Sequence, residues 1–264
     1  MTSMDGIKAG AGIISGWHLF NDFDNSQEDS YDTKLFLNYQ LHRDGGLFNY
    51  RHASFLTTYF LEGKKYLKYL TERFQKRGGK IIQGRVNSME ELVGKYDVVV
   101  TCVGLGAKTL LGDDSMVPIR GQVAKIHAPW MKHFLRTFTS KKQELDTYIY
   151  PGQEYVTIGG TRQEGDYNLA SDDEDEKRIW TNACKLIPAL KDCKPDFSLV
   201  GLRPCRKKGV RLETETMKLK NGTLKVVHNY GHSSAGIAPH WGCAQDATQL
   251  VKTCLQDTQL KSQL

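Results

Sequence analysis

The spacing of apolar positions changes along the chain from a helical period to an alternating one and back. Over 64–77 the residues Leu67, Leu70 and Phe74 recur at i, i+3 and i+7, which predicts a helix with that face inward, stopped by Gly78-Gly79. A short strand is expected over 80–83. Ser88-Met89-Glu90-Glu91 has the form of a capping box. The β-branched run Asp97–Cys102 predicts a buried strand. It enters the glycine turn Val103-Gly104-Leu105-Gly106-Ala107 and a short helix, a layout that brings backbone N–H groups close to a phosphate. In the middle of the chain the segments 117–126, 147–150 and 155–159 read as strands of one sheet. Tyr155 and Thr157 alternate there with Val156 and Ile158. The acidic run 172–176 suits the start of a helix, where the dipole favours carboxylates. Ile179, Trp180, Ala183, Leu186 and Ile187 would be that helix's apolar face. The chain closes with an expected strand (224–229), a loop (230–239) and a helix (242–255). Ala244, Ala247, Thr248, Val251 and Leu255 are its expected inner face. Such alternation of helical and extended segments implies an α/β or α+β architecture.

Composition narrows the function classes. The 264 residues carry 36 basic and 30 acidic side chains, a net charge of +6 with no block of five or more Lys or Arg, so little speaks for nucleic-acid binding. The apolar stretches are too short to span a bilayer. Cys102, Cys184, Cys193, Cys205, Cys243 and Cys254 form no C-x-x-C pair, which points away from a zinc ribbon and toward a reducing interior. The N-terminus lacks the layout of a signal peptide. Ser262-Gln263-Leu264 differs from the peroxisomal address S-K-L only in the middle residue.

Several apparent motifs dissolve on inspection. Gly10-Ala11-Gly12-Ile13-Ile14-Ser15-Gly16 is spaced G-x-G-x-x-x-G and no apolar strand precedes it, so it is not read as a phosphate loop. His228, His232 and His240 are expected to be structural, because Asn229-Tyr230-Gly231 breaks any helix that could pair the first two on a metal; no metal is implied. No G-x-S-x-G elbow is present. Two arginines say more. Arg162 in Gly159-Gly160-Thr161-Arg162 and Arg203 in Gly201-Leu202-Arg203-Pro204 stand at glycine-rich turns after extended runs, and Tyr148 lies on a nearby expected strand. A guanidinium fork there matches a carboxylate bidentately. By chemistry alone the expectation goes no further than an α/β enzyme able to bind a carboxylate.

The remaining stretches resemble a known family. Val226-Val227-His228-Asn229-Tyr230-Gly231-His232-Ser233-Ser234-Ala235-Gly236, with His240-Trp241-Gly242 after it, resembles the C-terminal signature of the D-amino-acid oxidase family. Val117-Pro118-Ile119-Arg120-Gly121-Gln122-Val123, Thr147-Tyr148-Ile149-Tyr150-Pro151-Gly152 and Gly201-Leu202-Arg203-Pro204 are similar to its other conserved segments. Within the family, Gly159-Gly160-Thr161-Arg162-Gln163 resembles the D-aspartate oxidase branch, since the branch with neutral substrates has an apolar residue in place of Arg162. An amine oxidase acting on glycine or sarcosine fits less well for the same reason.

The resemblance implies an oxidoreductase that deaminates acidic D-amino acids such as D-aspartate and D-glutamate. FAD takes the α-hydrogen as hydride, and molecular oxygen reoxidises it to give hydrogen peroxide. The imino acid hydrolyses to an oxo acid and ammonia. By position, Arg203 and Tyr148 are the catalytic pair that holds the α-carboxylate, Arg162 contacts the side-chain carboxylate, and the carbonyl of Ser234 accepts from the amine. A charged hydrogen bond at Arg162, roughly 1.5–3 kcal/mol, would favour acidic substrates about 10- to 150-fold. Val86, Cys102, Gly104, Arg120, Gly121, Gln122, Gly236 and Ile237 match segments that line FAD. The implied fold is the remnant of a Rossmann-like FAD-binding domain (64–112 and 224–258), without its first β-α-β unit, interleaved with a mixed-sheet substrate domain (15–63 and 113–223). A chain of this length lacks the family's G-x-G-x-x-G cradle, so the alternative expectation is a non-catalytic member unable to hold FAD. Ser233 stands where the family usually has glycine. The tail Ser262, Gln263 and Leu264 is similar to the family's peroxisomal endings, which implies an import receptor as partner and a peroxisomal location, the alternative being cytoplasmic.

Overall fold

The computed structural model describes residues 5–21, 36–44, 46–138 and 146–261. Among them the order is α1 (Asp5–Lys8), β1 (Ala11–Phe20), β2 (Leu37–His42), β3 (His52–Leu61), α2 (Gly63–Lys76), β4 (Val99–Thr101), α3 (Ala107–Leu110), β5 (Met116–Ile126), β6 (Phe134–Phe138), β7 (Tyr148–Pro151), β8 (Val156–Gly159), β9 (Gln163–Glu164), α4 (Asp173–Leu186), β10 (Pro195–Arg206), β11 (Arg211–Leu219), β12 (Gly222–Tyr230) and α5 (His240–Lys261). Short 3-10 turns lie at Met89–Leu92, Gly104–Gly106, Pro188–Asp192 and Ser233–Ala235.

The chain divides into two compact units. The first comprises Met1–Ile81, Gly121–Arg162 and Leu169–Gly201, and the second Ile82–Arg120, Gln163–Asn168 and Leu202–Leu264. Strands β5 and β10 run from one unit into the other. Helix α2, expected with the FAD-binding part at 64–112, belongs to the first unit. Strand β11, expected within 113–223, pairs along its whole length with β12 in the second.

The first unit is built on a mixed sheet in the order β10-β5-β8-β7-β6-β1-β3-β2. One face of that sheet is apolar: Leu19, Ala124, Ile126, Leu135, Ile149, Val156 and Ile158 pack with Ile179, Ala183 and Leu186 of α4. Period-2 alternation on the strands and period-3.6 on the helix bring these residues to one layer. The acidic run does start α4, with Asp172 accepting from the Asp175 N–H at 2.8 Å. The glycine-rich stretch at the N-terminus is itself strand, since β1 begins at Ala11.

The second unit holds the sheet β11-β12-β4. Its β4 runs parallel to β12, with Val99 opposite Val226 and Thr101 opposite His228. Helix α5 covers Val227 with Ala247, Leu250, Val251 and Cys254. Ser88 does form a capping box with Glu91, here on a 3-10 turn.

Four expectations are corrected. Residues 80–83 form no strand: they lie in an irregular stretch and Ile82 is 81% exposed, with no strand among the described residues to pair it. The expected inner face of α2 is open. Phe74 is 52% exposed and Leu67 still more so, and Tyr66 is the buried residue instead. Strand β4 is not buried on both faces, because it ends the sheet order and Val100 is exposed. The inner face of α5 is rotated from the expected one: Ala247 and Val251 are on it, but Leu250 and Cys254 replace Ala244, Thr248 and Leu255, which are exposed.

Candidate functional site

In the first unit, residues adjacent to the core strands' apolar positions point to the opposite face of the sheet. Leu135, Ile149 and Ile158 are in the core, so Arg136, Tyr148 and Thr157 emerge on the other side. Tyr148 stands opposite Gly159 on one flank and Arg136 on the other. Arg136 in turn stands opposite His18. The Tyr148 ring covers Gly159 and Gly160, where any Cβ would collide with it. On its other side it stacks on Tyr150 at 5.0 Å between centroids, the planes 22° apart. Tyr148 is thereby fixed by two glycines and one aromatic ring. Arg162 follows two residues after Gly160, exposed and without a side-chain hydrogen bond or ion pair among the described residues.

Arg136, which the sequence reading passed over, is the second cation of this face. Its guanidinium lies 4.5 Å from the Phe138 ring centre and 3.7 Å from the Asp146 carboxylate, while its buried Nε has no hydrogen-bond partner among the described residues. A signal existed in the alternation Phe134-Leu135-Arg136-Thr137-Phe138, which sets an arginine outward from a strand whose neighbours are apolar. Burial, and then the Arg136 charge, lower the His18 imidazole to about 4, so it is neutral at pH 7. Lys125 donates to Thr157 at 2.5 Å on the same face, and burial lowers its ammonium. Gly121 and Gln122 are buried in β5. The Gln122 amide exchanges two hydrogen bonds with the Asp172 backbone, at 2.8 and 2.9 Å, and its N–H donates to the Thr161 hydroxyl.

In the second unit the parallel strands β4 and β12 send their carboxyl ends to the same edge, the end at which α/β sheets bind ligands. Cys102, Gly104 and Gly106 follow β4. Gly104 has φ +51°, a conformation that favours glycine, and Pro204 lies against it. After β12 the turn Ser233–Ala235 carries exposed Ser234, then Gly236 and exposed Ile237. Cys205 bridges to His232, which brings Arg203 and Pro204 to this end as well. Arg203 therefore stands within a long strand, not at a turn as expected. Its Nη1 donates to the Arg120 carbonyl at 3.3 Å. The Arg120 side chain is buried and holds the segment 163–168: it donates to the Asn168 carbonyl at 3.0 Å and to Gln163 at 2.7 Å, with Asp166 at 3.8 Å. Val86 lies partly exposed in the irregular stretch before the capping box.

A polar network supports this end from below. Thr101 and Glu215 contact the two ring nitrogens of His228 at 2.9 and 3.0 Å. Arg211 joins Glu215 to Tyr230, and the Tyr230 hydroxyl and Arg206 both donate to Asp113. Burial alone would raise the Asp113 carboxyl, but the donors Ser115, Arg206 and Tyr230 hold it far below the usual range. Both ring nitrogens of His228 are thus engaged within the protein. The fit of this edge to a flavin dinucleotide rests on its small side chains: residues 102, 104, 106, 234 and 236 add little bulk where a diphosphate and a ring would lie, and the left-handed Gly104 turns the chain beside them.

The family described as FAD dependent oxidoreductase matches residues 22–250, and this chain belongs to it. It is 39% identical over 250 residues to a D-aspartate oxidase of Homo sapiens, covering 94% of this chain and 71% of that one. It is 38% identical to a D-amino acid oxidase of Dugesia ryukyuensis, covering 77% of this chain and 60% of the relative. Among solved structures, glycine oxidase from Geobacillus kaustophilus is similar in fold, with a TM-score of 0.72 at 15% identity, covering 92% of this chain and 72% of that one. The mixed α/β architecture is that of the FAD-dependent oxidoreductases. The unmatched part of the relatives is where the match runs out: the chain spans about three-fifths to seven-tenths of their length.

Proposed function

We propose that this chain is an FAD-dependent oxidase of acidic D-amino acids, which with dioxygen and water yields a 2-oxo acid, ammonia and hydrogen peroxide. The observation that carries the reading is the kinship with a D-aspartate oxidase over nearly the whole chain. FAD, when bound, supplies the two-electron acceptor and the route to dioxygen. Cys102, Gly104, Gly236 and Ile237 would hold it through backbone and small side chains, with Val86 near the adenine and the Arg120–Gln122 segment alongside.

The residues' own work is binding and orientation. Arg203 grips the α-carboxylate as a fork, and Tyr148 donates its hydroxyl to the same group. The Ser234 carbonyl accepts from the amine and so sets which hydrogen of the α-carbon faces the acceptor. Arg162 pairs with the side-chain carboxylate, and Arg136 adds positive charge on the Tyr148 face. No side-chain base is needed when the amine binds unprotonated; orientation supplies the rate. The tail Ser262, Gln263 and Leu264, which lies outside the described residues, supports delivery to the peroxisome by an import receptor.

The test is Arg162→Leu. Its kcat/KM on D-aspartate and D-glutamate should fall about 10- to 150-fold while neutral D-amino acids are little affected. Equal loss on both classes refutes the acidic-substrate reading.

A further inference from the structure

One side chain, Tyr150, touches two members of the proposed substrate face at once. Tyr150 stacks on Tyr148 and meets Phe134 at 6.0 Å between centroids. Its phenol also faces the Arg136 guanidinium, whose other neighbours include the Phe138 ring and the Asp146 carboxylate at 3.7 Å. Strand geometry explains the meeting. Tyr148 and Tyr150 are two apart on β7 and so share a face, and Arg136 stands opposite Tyr148 on β6. The Arg136 guanidinium pairs with Asp146 through Nη2 at 3.7 Å, while its buried Nε has no hydrogen-bond partner among the described residues. An arginine held by aromatic rings and a phenol, with only one long ion pair, can turn a second edge of its fork to an incoming carboxylate.

We propose that Tyr150 is a positioning residue for acidic substrates: it fixes the Arg136 guanidinium through its hydroxyl and the Tyr148 ring through its face. The inference rests on the oxidase reading for its substrate and adds a residue that reading did not use. Its two contacts have separable consequences. The hydroxyl acts only through Arg136 and so affects only substrates with a second carboxylate. The ring acts through Tyr148 and so affects every substrate.

Burial pushes the Tyr150 phenol up, so it stays a neutral donor-acceptor over the whole useful pH range. The remaining charged and titratable groups near it are Asp146, which approaches Arg136, His18 opposite Arg136, and Lys125 beyond Thr157.

The experiment uses the full chain and two variants. Tyr150→Phe keeps the stack and removes the hydroxyl. Its KM for D-aspartate should rise about tenfold with kcat nearly unchanged, and its KM for D-alanine should stay as in the wild type. Tyr150→Leu removes both and should lower kcat on both substrates as well. Calorimetric binding of succinate against butyrate, neither of which can be oxidised here, provides a readout independent of turnover. The wild type should prefer succinate, and Tyr150→Phe should lose about tenfold of that preference. If the wild type oxidises no D-amino acid yet shows this preference and its loss, the positioning role stands while the oxidase reading falls. Equal effects of Tyr150→Phe on D-aspartate and D-alanine, or an unchanged succinate preference, overturn the proposal. A Tyr150→Phe chain that melts well below the wild type also overturns it, because the hydroxyl would then serve the fold.

Discussion

Acidification should weaken this protein through His18, in a window set by the folded and unfolded states of one imidazole. An ordinary histidine titrates near 6.5, and burial, aided by the Arg136 charge, brings His18 to about 4. The folded form thus binds the proton less readily than the unfolded chain, so this stability is complete above pH 6.5 and is lost as the pH falls toward 4. At about 1.4 kcal/mol for each tenfold change in proton affinity, going from pH 7.5 to 4.5 should cost about 2.5 kcal/mol from this group. Other groups titrate in the same window, so the comparison is between the wild type and His18→Gln. The difference in their urea midpoints should shrink by about 1 M over that range, taking a typical slope for the denaturant. An NMR titration of the His18 ring gives the same quantity directly. Arg136→Met should raise the His18 value only in part, because burial is the larger cause. A ring that titrates near 6.5, or a pH slope that His18→Gln leaves unchanged, refutes the reasoning.

Two further outcomes follow from the second unit. If Arg203 grips the substrate carboxylate as proposed, Arg203→Ala should lower kcat/KM about 30- to 1000-fold, the cost of a lost charged fork of about 2–4 kcal/mol, while FAD affinity, followed by flavin fluorescence, stays within about threefold; retained activity removes Arg203 from the site. Ser233 sits at φ +54°, where a side chain costs about 1–2 kcal/mol and glycine does not. Against the entropy that glycine adds to the unfolded chain, Ser233→Gly should gain about 0.5–1 kcal/mol and raise the Tm by about 2 °C. A lower Tm in a thermal scan contradicts the left-handed assignment.

What could be read from the residues was the period of each element and the chemistry at its ends. The sheet strands around 117–126, 147–150 and 155–159, the acid-led helix α4 and the turn after β4 follow from local pattern, and all are present. Failures came where tertiary partners decide. Leu67 and Phe74 have helical spacing, but nothing in the described residues covers that face, and residues 80–83 have no strand to pair with. Helix α5 is small-residue rich along two adjacent stripes, and packing on Val227 selects the one with Cys254. Arg136 could not be ranked from sequence, because its importance lies in standing opposite Tyr148, a register that only strand pairing reveals. Arg120 and Gln122 show the converse: polar residues in a conserved-looking segment whose side chains are spent within their own units.

The central claim is that these residues orient an acidic D-amino acid toward bound FAD. Its most direct test is anaerobic addition of D-aspartate, and separately L-aspartate, to the purified chain reconstituted with FAD, while the visible flavin absorption is recorded. Rapid bleaching by the D-enantiomer alone, with recovery on admitting air, is the result expected. A chain that takes up FAD yet keeps its colour with both enantiomers, or one that takes up no FAD at all, contradicts it.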